Sequence, residues 1–236
     1  VRNLQLVEDS AKRTGREVMV HVNHPNYKWG VTAEDLAAVT GERFFEVWNG
    51  VDGDNDPGDA AHASTDEIWD IANTLRIARY GAAPLFGLAT DDTHNHHGNK
   101  QHSPPGRAWI MVRSRHLTPD SIVRAIRSGD FYASTGVALR DVAFDKGSRT
   151  LRVRIEGRPG ETYVTRFIGT RRGANLAGKP RSKPGEMETT LDYRGAGPPI
   201  GEVLSEVTGA EASYTWKGSE LYVRAVVTSS AKPEVP

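Results

Sequence analysis

The chain of 236 residues has no cysteine and no surplus of either charge, with 30 Lys and Arg against 30 Asp and Glu. Without cysteine there are no disulfides, no thiolate-bound metals and no thiol nucleophile, so a metal held here needs His and carboxylate donors. A sequence pI near 7.3 removes the charge on which non-specific nucleic-acid binding depends, and no nucleic-acid partner is expected. No apolar run approaches the roughly 18 residues that span a membrane, so the expected protein is soluble. The sequence starts at Val1 with no Met, basic n-region or apolar h-region, and in an exported protein the signal peptide is expected upstream. Both ends are abrupt, and the chain reads as a piece of something longer.

Gly and Pro together make about 16% of the chain, rich in loops but below the disordered range. Its length allows one large domain or two modest ones, and two patterns divide it near Gly136. Over residues 1–136, helical periods alternate with apolar runs. A helix from Asn3 ends at Gly15, and Thr32–Val39 forms a short second helix. The capping box Ser64-Thr-Asp-Glu67 opens a third, with Ile68, Ile71, Ala72 and Leu75 on one face. Thr118-Pro119 opens a fourth that stops at Gly129. Between them Glu17–Val22, Arg43–Trp48, Leu85–Ala89 and Ala108–Val112 read as strands, and this alternation predicts βαβ units with a parallel sheet. Over residues 137–236 the helical period vanishes. Leu139–Phe144, Leu151–Ile155, Tyr163–Ile168, Met187–Leu191, Val203–Val207, Ser213–Trp216 and Leu221–Val227 are short strands between turns, the spacing of an immunoglobulin-like β-sandwich.

Three strands of the first part run into polar clusters: His21-Val-Asn-His-Pro-Asn26, Glu46-Val-Trp-Asn-Gly50 and Thr90-Asp-Asp-Thr-His-Asn-His-His97. In a parallel β/α barrel such ends converge on one mouth, which brings distant residues together. Asp92 and His94 offer a carboxylate and an imidazole for one metal or two neighbouring ones. His24 precedes Pro25, which biases it towards extended backbone. His21 alternates with Val20 and Val22 and reads foremost as structural. Glu46, flanked by Phe44, Phe45 and Val47, needs a partner or a metal if buried. His62 lies in the Gly/Asp-rich loop 54–64, a place for a substrate lid. At its start the Asp52, Asp54, Asp56 alternation lacks the Gly and Glu of a calcium loop. His96, His97 and His102 read as solvated, as do the basic residues Arg171, Arg172, Lys179, Arg181 and Lys183.

The His-Pro pair after one strand and Asp-x-His after a later one resemble the polymerase-and-histidinol-phosphatase (PHP) superfamily of metallohydrolases. More narrowly, Asn23-His-Pro-Asn26, Glu46-Val-Trp-Asn-Gly50, Ala89-Thr-Asp-Asp-Thr-His94 and Gly129-Asp-Phe-Tyr-Ala-Ser-Thr-Gly136 resemble the CehA/McbA-type branch. The resemblance implies the second half of a distorted seven-stranded β/α barrel holding two or three divalent ions, followed by a β-domain. It sets His24, Asp92 and His94 as metal ligands, and Glu46 and Asn49 in a recurrent motif of unassigned role. The family's opening Asp-x-His-x-His motif and its middle His and Glu ligands do not occur in this chain, and are expected upstream of Val1.

The reading that follows is a metal-dependent hydrolase of a small-molecule substrate, foremost a phosphoesterase, with ester, carbamate and amide substrates also open. Zn, Mn and Fe all suit the donors. Metal-activated water at the mouth is the expected nucleophile, and His21, Glu46, Asn49 and His62 are candidates for substrate or supporting contacts. The isolated chain is expected to be inactive. The alternative is a carbohydrate- or protein-binding module in which Tyr193, Tyr214, Trp216 and Tyr222 form an aromatic platform, although alternating aromatics are foremost core residues. Oligomeric state is left open.

Overall fold

The computed structural model describes residues 2–94, 104–181 and 189–231. In chain order the elements are α1 (Arg2–Thr14), α2 (Ala33–Ala38), β1 (Phe44–Asn49), α3 (Thr65–Ala78), β2 (Phe86–Thr90), β3 (Trp109–Val112), α4 (Pro119–Arg127) and β4 (Phe131–Ser134). Six strands follow: β5 (Leu139–Asp145), β6 (Thr150–Ile155), β7 (Tyr163–Arg171), β8 (Glu202–Thr208), β9 (Glu211–Thr215) and β10 (Glu220–Ser229). The protein is a mixed α/β structure with several small sheets.

Side chains at the helix starts explain where the helices begin. Thr32 and Asp35 form a reciprocal capping box on α2, with Thr32 Oγ1 accepting from Asp35 N–H at 3.2 Å and Asp35 accepting from Thr32 N–H at 3.0 Å. Ser64 Oγ accepts from Glu67 N–H at 3.1 Å to start α3, while the Glu67 carboxylate takes the guanidinium of Arg181. Gly129 ends α4 at φ +81°, and a Cβ there would lie 2.6 Å from the Phe86 ring.

β1 and β2 pair in parallel, from Phe44 opposite Phe86 to Asn49 opposite Thr90. Val22 bridges in parallel to Phe45 at the opposite edge of β1. The expected strand Glu17–Val22 reduces to that single bridge, because these residues stay half-exposed and find a backbone partner only at Val22. β3 departs from the parallel expectation, pairing antiparallel with β4 through Trp109–Ser134 to Val112–Phe131. The described residues contain no closed barrel; their parallel pairing is confined to Val22, β1 and β2.

In the second part, β5-β6-β9 and β10-β7-β8 form two antiparallel three-stranded sheets. They face each other over Val153, Ile155, Tyr163, Phe167, Ala212 and Tyr214. Six of the seven expected strands are present. Met187 lies outside the described residues, and Thr189–Leu191 forms no strand; beside it Asp192 bridges to Lys179. The aromatic platform of the alternative reading does not form: Tyr193, Tyr214 and Tyr222 are buried at 5–7% exposure, Tyr214 in the sandwich core and Tyr193 and Tyr222 against α2 and α3.

The connection between β7 and β8 does not stay with the sandwich. Leu176, Leu191, Tyr193 and Ile200 pack on the core of α2, α3 and β1. Ala33 N–H donates to Thr190 Oγ1 at 3.0 Å, and Tyr193 Oη donates to Glu34 at 2.8 Å. Arg181, expected to be solvated, has a side chain only 11% exposed, and Arg171 pairs with Glu202; Lys183 lies outside the described residues. α3 is thus covered on two sides. Ile68, Ile71, Ala72 and Leu75 face the first core, while Asp70 and Thr74 reach Tyr222, Arg224 and Thr170 on the outer face of β10 and β7.

Candidate functional site

A β-bulge organises the end of β1. The register shifts between Glu46 and Trp48, so Glu46 and Asn49 share one face instead of alternating, and Val47 and Trp48 turn away. Glu46 is 3% exposed and Asn49 4%. The Glu46 carboxylate accepts from three sides: the His24 backbone N–H at 2.7 Å, Asn49 Nδ2 at 3.1 Å and Thr90 Oγ1 at 3.0 Å. Asn49 Nδ2 also reaches Asp92 Oδ2 at 3.2 Å. One buried carboxylate therefore ties together the ends of all three parallel segments, and the hydrogen bonds offset its desolvation.

The backbone is strained at two of these residues. His24 has φ +25° and Asp92 φ +46°, a region that residues other than glycine rarely adopt. The extended conformation that Pro25 favours for His24 is overridden: Glu46 holds its N–H, and its carbonyl accepts from Tyr27 N–H at 2.9 Å in a turn. Asp91, next to Asp92, accepts from the backbone N–H groups of Gly106, Arg107 and Ala108 at 2.6–2.7 Å and so anchors the approach to β3.

Residues of the loop after β1 complete the cluster. Asn49 N–H donates to Asp56 Oδ2 at 2.6 Å. Burial pushes the Asp56 carboxyl up to about 7, with the charges of Asp54, Glu46 and Asp66 adding to the rise. Asp54 is raised too, by burial first; Glu46 and Asp92 add to this rise, and His24 opposes it. Asp54 Oδ2, Asp56 Oδ1 and His21 Nδ1 are buried with no hydrogen-bond partner. The alternation of acids at 52, 54 and 56 was the only sequence signal for this part of the site.

The structure brings His24, Glu46, Asn49 and Asp92 together. His21 stands at the edge of the group, its Nδ1 3.9 Å from Glu46 Oε1. His94 is exposed at the rim, with Nδ1 2.7 Å from the Asp92 carbonyl oxygen; that oxygen only accepts, so Nδ1 carries a proton, and in the neutral imidazole Nε2 presents its lone pair. His62 is engaged elsewhere: its ring stacks on Trp29 at 3.9 Å and its Nδ1 bonds Asp59 at 2.8 Å. His96, His97 and His102 lie outside the described residues.

Among the described residues, no three His, Asp or Glu side chains are already set to hold a metal ion together. The donor chemistry nonetheless suits one side of a metal centre. Carboxylates outnumber cations around Asp54, two of the acids have raised pKa values, and three buried polar atoms lack partners. A cation beside Asp54 would offset part of this excess of negative charge. Comparison of the chain with protein-family models, curated proteins and solved structures gave no match.

Proposed function

We propose that this chain supplies part of the active site of a metal-dependent hydrolase, with a phosphoester as the preferred substrate class. The observation that carries the reading is the junction at Glu46, where His24, Asn49 and Thr90 meet on one buried carboxylate and Asn49 continues to Asp92. The resemblance of the His-Pro and Asp-x-His segments to PHP-superfamily hydrolases supports the same reading, and makes His24, Asp92 and His94 the residues that would hold the ion. A bound Zn, Mn or Fe ion supplies Lewis acidity towards the scissile group and eases ionisation of water at neutral pH.

The chain's own residues do the positioning. Asn49 donates to Glu46 and Asp92 at once, which fixes the spacing of two carboxylates. Glu46 holds the turn that presents His24. The Asp92 carbonyl sets the His94 tautomer, leaving Nε2 as a donor of electrons. Asp56, titrating at about 7, holds or releases a proton beside Asn49 near neutral pH.

The test is His24→Ala and Asp92→Ala, each made singly in the full-length protein that carries this chain. Both are expected to lose bound metal on elemental analysis and to lower hydrolysis of bis-p-nitrophenyl phosphate by about 100-fold or more. Full metal content together with full turnover in both variants overturns the reading. The 236 residues by themselves are expected to show little or no turnover.

A further inference from the structure

The bulge that turns Glu46 and Asn49 to the mouth turns Val47 and Trp48 to the other side, where the two parts of the molecule line a partly open cavity of about 460 Å³. That volume is in the range of small-molecule sites.

The walls are of two kinds. Trp48, Phe86 and Phe131 supply aromatic surface, and Trp48 is 43% exposed at the rim. Across from them runs β10. Its Val223, Ala225 and Val227 pack into the sandwich core, so alternation turns Tyr222, Arg224 and Val226 outward; Tyr222 and Arg224 reach Asp70 on α3, and Val226 lines the cavity. β10 is also the outermost strand of its described sheet, so half of its backbone N–H and C=O groups point away from β7.

The polar end has a definite sign. The Arg224 guanidinium lies over the Trp69 ring at 4.8 Å, bonds Asp70 through Nε at 2.9 Å and Nη2 at 2.7 Å, and places Nη1 2.9 Å from Asp66 Oδ1. The Nη1 contact is an ion pair without hydrogen-bond alignment. Two carboxylates against one guanidinium leave an excess of negative charge, and the Asp66 side chain is 62% exposed. An anionic ligand is disfavoured here, and a molecule with a hydrogen-bond donor is favoured.

We propose that this cavity is a binding site for a small aromatic amine, its rings held between Trp48, Phe86 and Val226 and its N–H group directed to the Asp66 end. The site is separate from the mouth, and its occupancy needs no metal and no hydrolysis.

The probe is N-phenyl-1-naphthylamine, a neutral aromatic amine whose emission rises and shifts to the blue in apolar surroundings, titrated against the whole chain. Saturable one-to-one binding is expected, with energy transfer from tryptophan to the dye. Val226→Trp puts an indole into the cavity and is expected to weaken binding by about tenfold or more, with the far-UV circular dichroism unchanged. Trp48→Ala removes an exposed rim residue, and is expected to weaken binding several-fold and reduce the energy transfer. Absence of saturable binding overturns the proposal. So does unchanged affinity in both variants, which locates the dye elsewhere. Should Val226→Trp not fold, Trp48→Ala decides: unchanged affinity overturns the site, and weakened binding supports it.

Discussion

Asp56 is 4% exposed, accepts a 2.6 Å hydrogen bond at Oδ2 and has no partner at Oδ1. Its folded pKa of about 7 stands above the ordinary 3.8 because burial penalises the charge. For a raised acid the sign is fixed: the folded state keeps a proton that the unfolded chain releases. The stabilisation is therefore complete below about pH 4 and is lost as pH rises through about 7. Asp56→Asn keeps the acceptor for Asn49 N–H and removes the titration. In metal-free protein the variant should match the wild type near pH 4 and exceed it at pH 8 by up to about 4 kcal/mol, because each tenfold difference in proton affinity between the folded and unfolded chain is worth about 1.4 kcal/mol. Urea unfolding of both proteins at the two pH values checks this; a difference that does not change with pH contradicts it. Little of this was legible beforehand. The acids at 52, 54 and 56 fit no calcium loop, and the burial of Asp56 arises from contacts made by α3, whose Thr65 donates through Oγ1 to the Val47 carbonyl and through N–H to the Asp56 carbonyl. His24 is the converse case. The local rule for a residue before proline was sound, but a hydrogen bond to a carboxylate 22 residues away outweighed it.

At the scale of elements, α3 shows which half of a helix a sequence discloses. Its apolar face repeats every three to four residues, and Ile68, Ile71, Ala72 and Leu75 are all buried as that period requires. Its polar face carries Asp70 and Thr74, which are just as buried, at 5% and 0% exposure. Their partners lie far along the chain: Tyr222 and Arg224 follow Asp70 by about 150 residues, beyond the reach of any periodic pattern. The same limit explains β3. An apolar run of four residues does not say whether its neighbour is parallel, and β4 supplied an antiparallel one. Asp70→Ala should cost about 3–5 kcal/mol, because it strips two hydrogen bonds from a guanidinium that is nine-tenths buried and leaves only the exposed Asp66 beside it. Replacing Asp70 and Arg224 together with Leu removes the stranded charge, and should recover part of that loss. Denaturant midpoints of the two variants and the wild type test the pair; a double variant no more stable than Asp70→Ala contradicts the account.

For the whole molecule, the composition break near Gly136 marks a change of architecture, and the packing across it decides the cooperativity. Asp70, Thr74, Glu34 and Glu67 on the helices are matched by Arg224, Thr170, Tyr193 and Arg181 from beyond residue 136. Leu176, Leu191 and Ile200 fill the first core. Neither part keeps its buried groups satisfied alone: without the helices, Tyr222 and Arg224 lose Asp70, and without the β7–β8 connection, α2 and α3 lose Tyr193. An interface of this kind is expected to join the two parts into one folding unit, unlike the polar and mobile contact usual between domains of one chain. Calorimetry should accordingly show a single transition whose van't Hoff and calorimetric enthalpies agree, and Asp70→Ala should lower that one midpoint as a whole. Two resolved transitions, with only the lower one moved by the substitution, would mean that the sandwich folds without the helices.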